Sequence, residues 1–173
     1  MLDRNVASSQ SKRITPYNSS QSSPQAGGLT FRSETIAFET EDDACIYNVT
    51  ATVEAVLERN PIREGHVLVF TRHTTTGLAI NEDEVRLRED FKRHFAQVAP
   101  PEQRYMHNDL HLRDVPDDEP LNAHAHLIAV SLNTSEYVPV MEGELALGKW
   151  QSILFFELDG SRQRKLFVQV CGQ

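Results

Sequence analysis

Along residues 29–173 the apolar positions recur with two different periods, and the changes of period divide the chain into elements. From Leu29 to Phe38, Phe31, Ile36 and Phe38 stand among polar partners, which predicts a strand, and Glu41-Asp42-Asp43 supplies the loop that follows. Val49, Val53, Val56 and Leu57 then fall on one helical face, with Asn48 as the candidate N-cap and Asn60-Pro61 as the stop. His66 to Arg72 reads as a buried strand leading into His73. A second helix is predicted from Glu82 to about Val98, because Leu87, Phe91, Phe95 and Val98 form one stripe, Asn81 can cap it and Asn81 with Glu84 resembles a capping box. Pro100-Pro101 ends it, and residues 102–121 read as an irregular loop. Asn122 can cap a short third helix reaching about Leu132. The last forty residues then read as strands, with turns at Glu142-Gly143 and Asp159-Gly160 and with Trp150 to Leu158 buried on both faces. The class is α+β: antiparallel sheets in a sandwich-like core, with two to three helices packed on them.

The first 28 residues are different. Seven serines, three glutamines, Pro16 and Pro24 leave no sustained apolar period, so residues 1–28 are expected to form a disordered tail, a plainer reading than an organelle-targeting segment. Residues 29–173 are expected to form a single domain, and 39% hydrophobic content over 173 residues suffices for one core. Cys45 and Cys171 are isolated, and no stretch has the ~18 to 20 apolar residues that a membrane span needs, so a cytoplasmic protein without membrane contact is expected. The tail carries a net +2, so the remainder holds −10 of the total −8. Such a surface repels phosphate backbones, which argues against a nucleic-acid partner and suits a divalent cation.

Candidate chemistry lies in the histidines. His107, His111, His124 and His126 fall within twenty residues around an acidic, proline-bearing loop, and imidazoles among Asn108, Asp109, Asp114 and Asn122 make a ligand or acid/base set. On a helix, His124 and His126 point about 200° apart and cannot share one ion, and Asn122 shares the face of His126. On a strand the two histidines would share a face. Surface or hydrogen-bonded histidines remain the rival reading.

Four separated motifs resemble one family. His73 with Asn81-Glu82 in H-T-T-T-G-L-A-I-N-E, His107 after Tyr105, His126 before Leu127 in N-A-H-A-H-L, and Gly148 with Trp150-Gln151 are similar to the YjbQ family, whose members are described as secondary thiamine-phosphate synthases. The resemblance covers about residues 29–172. Departures are Lys149 where threonine is usual, Asn48 where aspartate is common, and Leu132-Asn133 where a glycine is usual. The resemblance implies an α+β homotrimer with sites near subunit contacts. The implied reaction joins a pyrimidine diphosphate to a thiazole phosphate, giving thiamine monophosphate and pyrophosphate.

Under that reading His73, His107 and His126 are candidate ligands of a divalent metal, Zn or Mg, with an open coordination position. Glu82 or Asp109 would act as general acid/base or orient a histidine. Thr74, Thr75 and Thr76 offer hydroxyls to a phosphorylated substrate, with Asn81, Asn122, Lys149, Trp150 and Gln151 as further substrate-binding candidates. Arg113 can add positive charge. Each has a plainer role: Glu82 favours a helix N-terminus, Trp150 belongs in a core, and the threonines satisfy local backbone. The same residues would also serve a metal-dependent phosphate-ester hydrolase or a non-enzymatic trimeric binding module.

Overall fold

A computed structural model describes residues 18–22, 28–41, 44–116 and 118–173. Its strands are β1 (Asn18–Ser22), β2 (Thr30–Glu39), β3 (Cys45–Asn48), β4 (Gly65–Thr71), β5 (Thr76–Asn81), β6 (Ser135–Met141), β7 (Glu144–Leu145), β8 (Ser152–Glu157) and β9 (Gln163–Gly172). The helices are α1 (Thr50–Arg59), α2 (Val85–Val98) and α3 (Ala123–Ala129), with 3₁₀ turns at Met106–Asn108 and Leu110–Leu112. A six-stranded sheet runs in the order β1-β2-β9-β4-β6-β7 and a three-stranded sheet in the order β3-β8-β5, with antiparallel neighbours throughout. This is the α+β sandwich that the alternating patterns predict.

Two apolar clusters make it a layered structure. Val67, Val69, Leu166, Val168 and Val170 of the large sheet meet Leu78, Ile153 and Phe155 of the small sheet and Val53, Val56 and Leu57 of α1. On the other side of the small sheet, Leu154 and Phe156 pack against Ala125, Ile128 and Ala129 of α3 and against Phe91 and Phe95 of α2. Successive β8 side chains thus enter different cores, which is why S-I-L-F-F-E reads as a continuous apolar run. Burying each of its phenylalanines contributes about 1.5–3 kcal/mol. The Glu142-Gly143 turn has two consecutive positive φ angles, 54° and 91°, the conformation that a tight hairpin between β6 and β7 requires.

Four boundaries differ from the sequence reading. Helix α2 begins at Val85 rather than Glu82, because Asn81 continues β5 opposite Ser152 and the Glu84 carboxylate caps the helix, accepting from the N–H groups of Arg86 and Leu87 at 3.0 and 2.9 Å. Helix α3 ends at Ala129, short of Leu132, because the chain turns there to bring Asn133 beside Leu78. Its first N–H, that of Ala123, is capped by Asn108 Oδ1 at 3.1 Å, while Asn122 donates instead to Asp159 at 2.8 Å. Trp150 lies outside β8 and is 66% exposed, not buried. Within the segment expected to be disordered, Asn18–Ser22 pair with β2. Residues 1–17 and 23–27, with Asp42, Asp43 and Asp117, lie outside the described residues.

Candidate functional site

β4 belongs to the large sheet and β5 to the small one, so the intervening loop carries His73 where the chain crosses between layers. A hydrogen bond of 2.6 Å between the Thr71 and Thr76 hydroxyls closes the loop at its base. From the side, His73 Nε2 accepts the Lys165 backbone N–H at 2.9 Å. An accepting Nε2 carries no proton, so the neutral ring holds its proton on Nδ1 and acts as a donor there. Burial first, then the neighbouring Arg164 guanidinium, pushes the His73 pKa below 6.5 and favours that neutral form.

Beneath the loop lies an ion pair missed in the sequence. Glu157 and Arg164 are 0% and 4% exposed and joined twice, at 2.6 Å from Nε and 2.6 Å from Nη2. Arg164 Nη2 also donates to the Thr75 hydroxyl at 3.0 Å, and Thr40 donates to Glu157 at 2.9 Å. Two charges can remain in such a place only with their hydrogen-bonding capacity filled this way. The available signal was one carboxylate at the end of an apolar run facing one arginine in the next strand.

Across from His73 stands α3. Its Ala123–Asn108 cap ties it to the 3₁₀ turns, Arg113 holds the His107 carbonyl at 2.9 Å, and the Tyr105 hydroxyl anchors the same stretch to the Pro100 carbonyl at 2.9 Å. These bonds place His107 edge-on to His126, with ring centroids 4.9 Å apart. Burial, and after it the proximity of His107, holds the His126 pKa below 6.5, which favours the neutral form of that ring. His107 Nε2 is buried and, among the described residues, has no hydrogen-bond partner. His126 and His73 face a common pocket of about 600 Å³ whose walls include Thr74, Thr76, Val130 and Leu132. The helical form of α3 settles the open geometry: His124 points away and lines a separate cavity with Phe95, Ile128 and Asp159.

The candidates therefore divide. His73, His126, Thr74 and Thr76 line the pocket, and His107 abuts it through His126. Among the described residues, no three His, Cys, Asp or Glu side chains are placed to hold one metal ion, and His73 Nε2 is already engaged. The Thr75 and Thr76 hydroxyls serve internal bonds, leaving Thr74 exposed. Asn122 ties α3 to Asp159, and Asp109 pairs with Arg104 at 3.3 Å. Arg113 faces Glu119 at 3.9 Å. Asn81, Glu82, Lys149, Trp150 and Gln151 lie elsewhere, at the far end of β5 and β8, where Asn81 pairs with Ser152. There the Asn81 side chain accepts the Glu82 N–H at 2.8 Å, Gln151 accepts the Gly148 N–H at 2.7 Å, and Lys149 Nζ sits 5.0 Å over the Trp150 ring.

Residues 34–173 match the family described as UPF0047 protein YjbQ-like. The chain belongs to the YjbQ family. A UPF0047 protein of Methanothermobacter thermautotrophicus is 41% identical over 128 residues, covering 74% of this chain and 83% of the relative. One from Archaeoglobus fulgidus is 44% identical over 124 residues, covering 72% and 89%. A crystal structure of a protein of unknown function from Sulfolobus solfataricus superposes with a TM-score of 0.75 at 33% identity, covering 84% of this chain and 99% of that one. These YjbQ relatives overturn one expectation. They bear the name of an uncharacterised family or are described as of unknown function, and nothing among them supports thiamine-phosphate synthesis, so that activity is withdrawn. Among the described residues no helix is long and apolar enough to cross a membrane.

Proposed function

We propose that the pocket between His73 and His126 binds a small oxyanion-bearing ligand together with a divalent metal held by His107 and His126. The observation that carries the reading is the buried, unpartnered Nε2 of His107 against the His126 ring. An imidazole nitrogen removed from water without a partner is costly, and a metal bond would offset that cost. Two neutral nitrogen donors favour zinc over magnesium, which prefers oxygen ligands. Bound there, zinc would act as a Lewis acid toward the ligand's oxygens. His73, engaged through Nε2, contributes its Nδ1–H as a fixed donor on the opposite wall, and the exposed Thr74 hydroxyl adds another. A phosphorylated or carboxylated small molecule fits this set.

Calorimetric titration of the metal-free protein with zinc tests the reading. Wild type is expected to bind, His107→Ala and His126→Ala to lose binding by tenfold or more, and His111→Ala to bind as wild type does. Equal zinc binding by all four proteins, or none by wild type, sinks the proposal. A homotrimer belongs to the same reading, since two imidazoles leave a zinc site short of the three protein ligands usual in open zinc centres.

A further inference from the structure

The smaller of the two apolar clusters is incompletely filled. Phe91 and Phe95 of α2 pack on Phe156, yet no residue of α2 is fully buried, and a cavity of about 570 Å³ lies between that helix, α3 and the β8–β9 turn. Small residues keep it open: Ala96 of α2, Ala99 just beyond it, and Gly160, whose φ of 89° makes the turn. Its volume falls within the roughly 300–1,000 Å³ usual for small-molecule sites. The cavity is separate from the histidine pocket, since His124 lines one and His126 the other, about 200° apart around α3.

The lining has an apolar part and a polar part. Phe95, Ile128 and Leu158 supply the first, the last two buried. Lys92, three residues before Phe95 on the same helix face, brings a cation. It pairs with Glu89 at 3.0 Å, but both side chains are exposed, and a pair of that kind holds the ammonium only weakly. The Asp159 carboxylate is already engaged, its Oδ2 accepting from Asn122 Nδ2 at 2.8 Å and from Arg162 Nε at 2.9 Å, so its charge is opposed within the chain. By contrast, the backbone N–H groups of Gly160 and Ser161 meet no acceptor among the described residues, and the buried Nδ1 of His124 has no partner among them. Unengaged donors beside a weakly held cation suit the charged end of an anion.

We propose that this cavity is a second ligand site, taking a monocarboxylate with an apolar alkyl or aromatic body. The body lies against Phe95, Ile128 and Leu158, and the carboxylate accepts from Lys92 and from the Gly160 and Ser161 N–H groups. One cation and neutral donors match a single negative charge. The site needs neither zinc nor His107 and His126, so it stands apart from the metal reading.

Octanoate is the probe, titrated into the metal-free full-length protein by calorimetry and followed in ¹H–¹⁵N spectra. Wild type is expected to bind, with shifts concentrated in α2, α3 and the β8–β9 turn. Lys92→Gln should weaken binding about tenfold, the loss of one charge-assisted hydrogen bond, and octylamine, with the same body and the opposite charge, should bind wild type about tenfold more weakly than octanoate. Ala96→Trp, which fills the cavity from an exposed helix position, should abolish binding, and Lys149→Gln should bind as wild type does. Lys92 is exposed, so Lys92→Gln reads the site without threatening the fold even where Ala96→Trp disturbs it. No octanoate binding by wild type, equal binding by Lys92→Gln or by a folded Ala96→Trp, or octylamine binding as tightly as octanoate overturns the proposal.

Discussion

Replacing Glu157 by glutamine changes almost no volume and leaves Arg164, 4% exposed, with its charge unopposed. The glutamine can still accept one guanidinium N–H, and Thr75 accepts another at 3.0 Å, but among the described residues no anion then touches Arg164. Breaking a buried pair on one side costs about 3–5 kcal/mol, a large fraction of the ~5–15 kcal/mol that keeps a domain folded. For a chain of this size the loss corresponds to roughly 6–20 °C in Tm. Urea denaturation followed by circular dichroism should show the midpoint falling with the slope unchanged. Glu157→Leu with Arg164→Met should recover most of the stability, because an apolar pair of similar volume needs no desolvation of charge. A Glu157→Gln protein less than about 1 kcal/mol below wild type would refute the assignment of this pair as a dry ionic anchor under the His73 loop.

In metal-free protein the His73 resonances should titrate below 6.5 by NMR, because burial and then the Arg164 guanidinium disfavour the protonated ring, and a midpoint at or above 6.5 would contradict that burial. Because the folded pKa values of His73 and His126 are depressed, the unfolded chain binds more protons below 6.5; stability should therefore fall as the pH drops through that value and level off below the folded pKa values, as urea midpoints from pH 8 to 5 would show. Gly77→Ala places a Cβ 2.5 Å from the Leu132 side chain at the pocket wall and should cost about 1–3 kcal/mol, with wild-type stability contradicting the close approach. Trp150→Ala should leave the unfolding free energy of a protomer within about 0.5 kcal/mol at low concentration, since its ring packs against no core, and a larger loss there would place it inside one.

The layers were legible in part because period-two alternation marks a sheet with one buried face, as in β2; β4, read as a buried strand, and β9 alternate in the same way in the structure. Helix α1 was legible for the same kind of reason, its Val53, Val56 and Leu57 falling on one face and entering the core. The start of α2 was not, because Asn81, Glu82 and Glu84 all favour a helix N-terminus by local chemistry, and pairing of Asn81 with β8 decides among them. Trp150 failed for a related reason: burial is the usual fate of an indole, and only tertiary structure shows that β8 begins two residues later. The sequence grouped His107 and His126 as candidate ligands, and their rings are neighbours in space. It did not show that the His73 Nε2 is taken by Lys165, or that Glu82 and Trp150 stand a strand's length away, since both depend on register between distant segments.

The central claim, a zinc-binding imidazole pair in a ligand pocket, is tested most directly by zinc titration of metal-free wild type alongside His107→Ala. The account predicts about one zinc per chain for wild type and loss of tight binding when the buried, unpartnered Nε2 of His107 is removed. Wild type that takes up no zinc, or a variant that takes it up equally well, would contradict it.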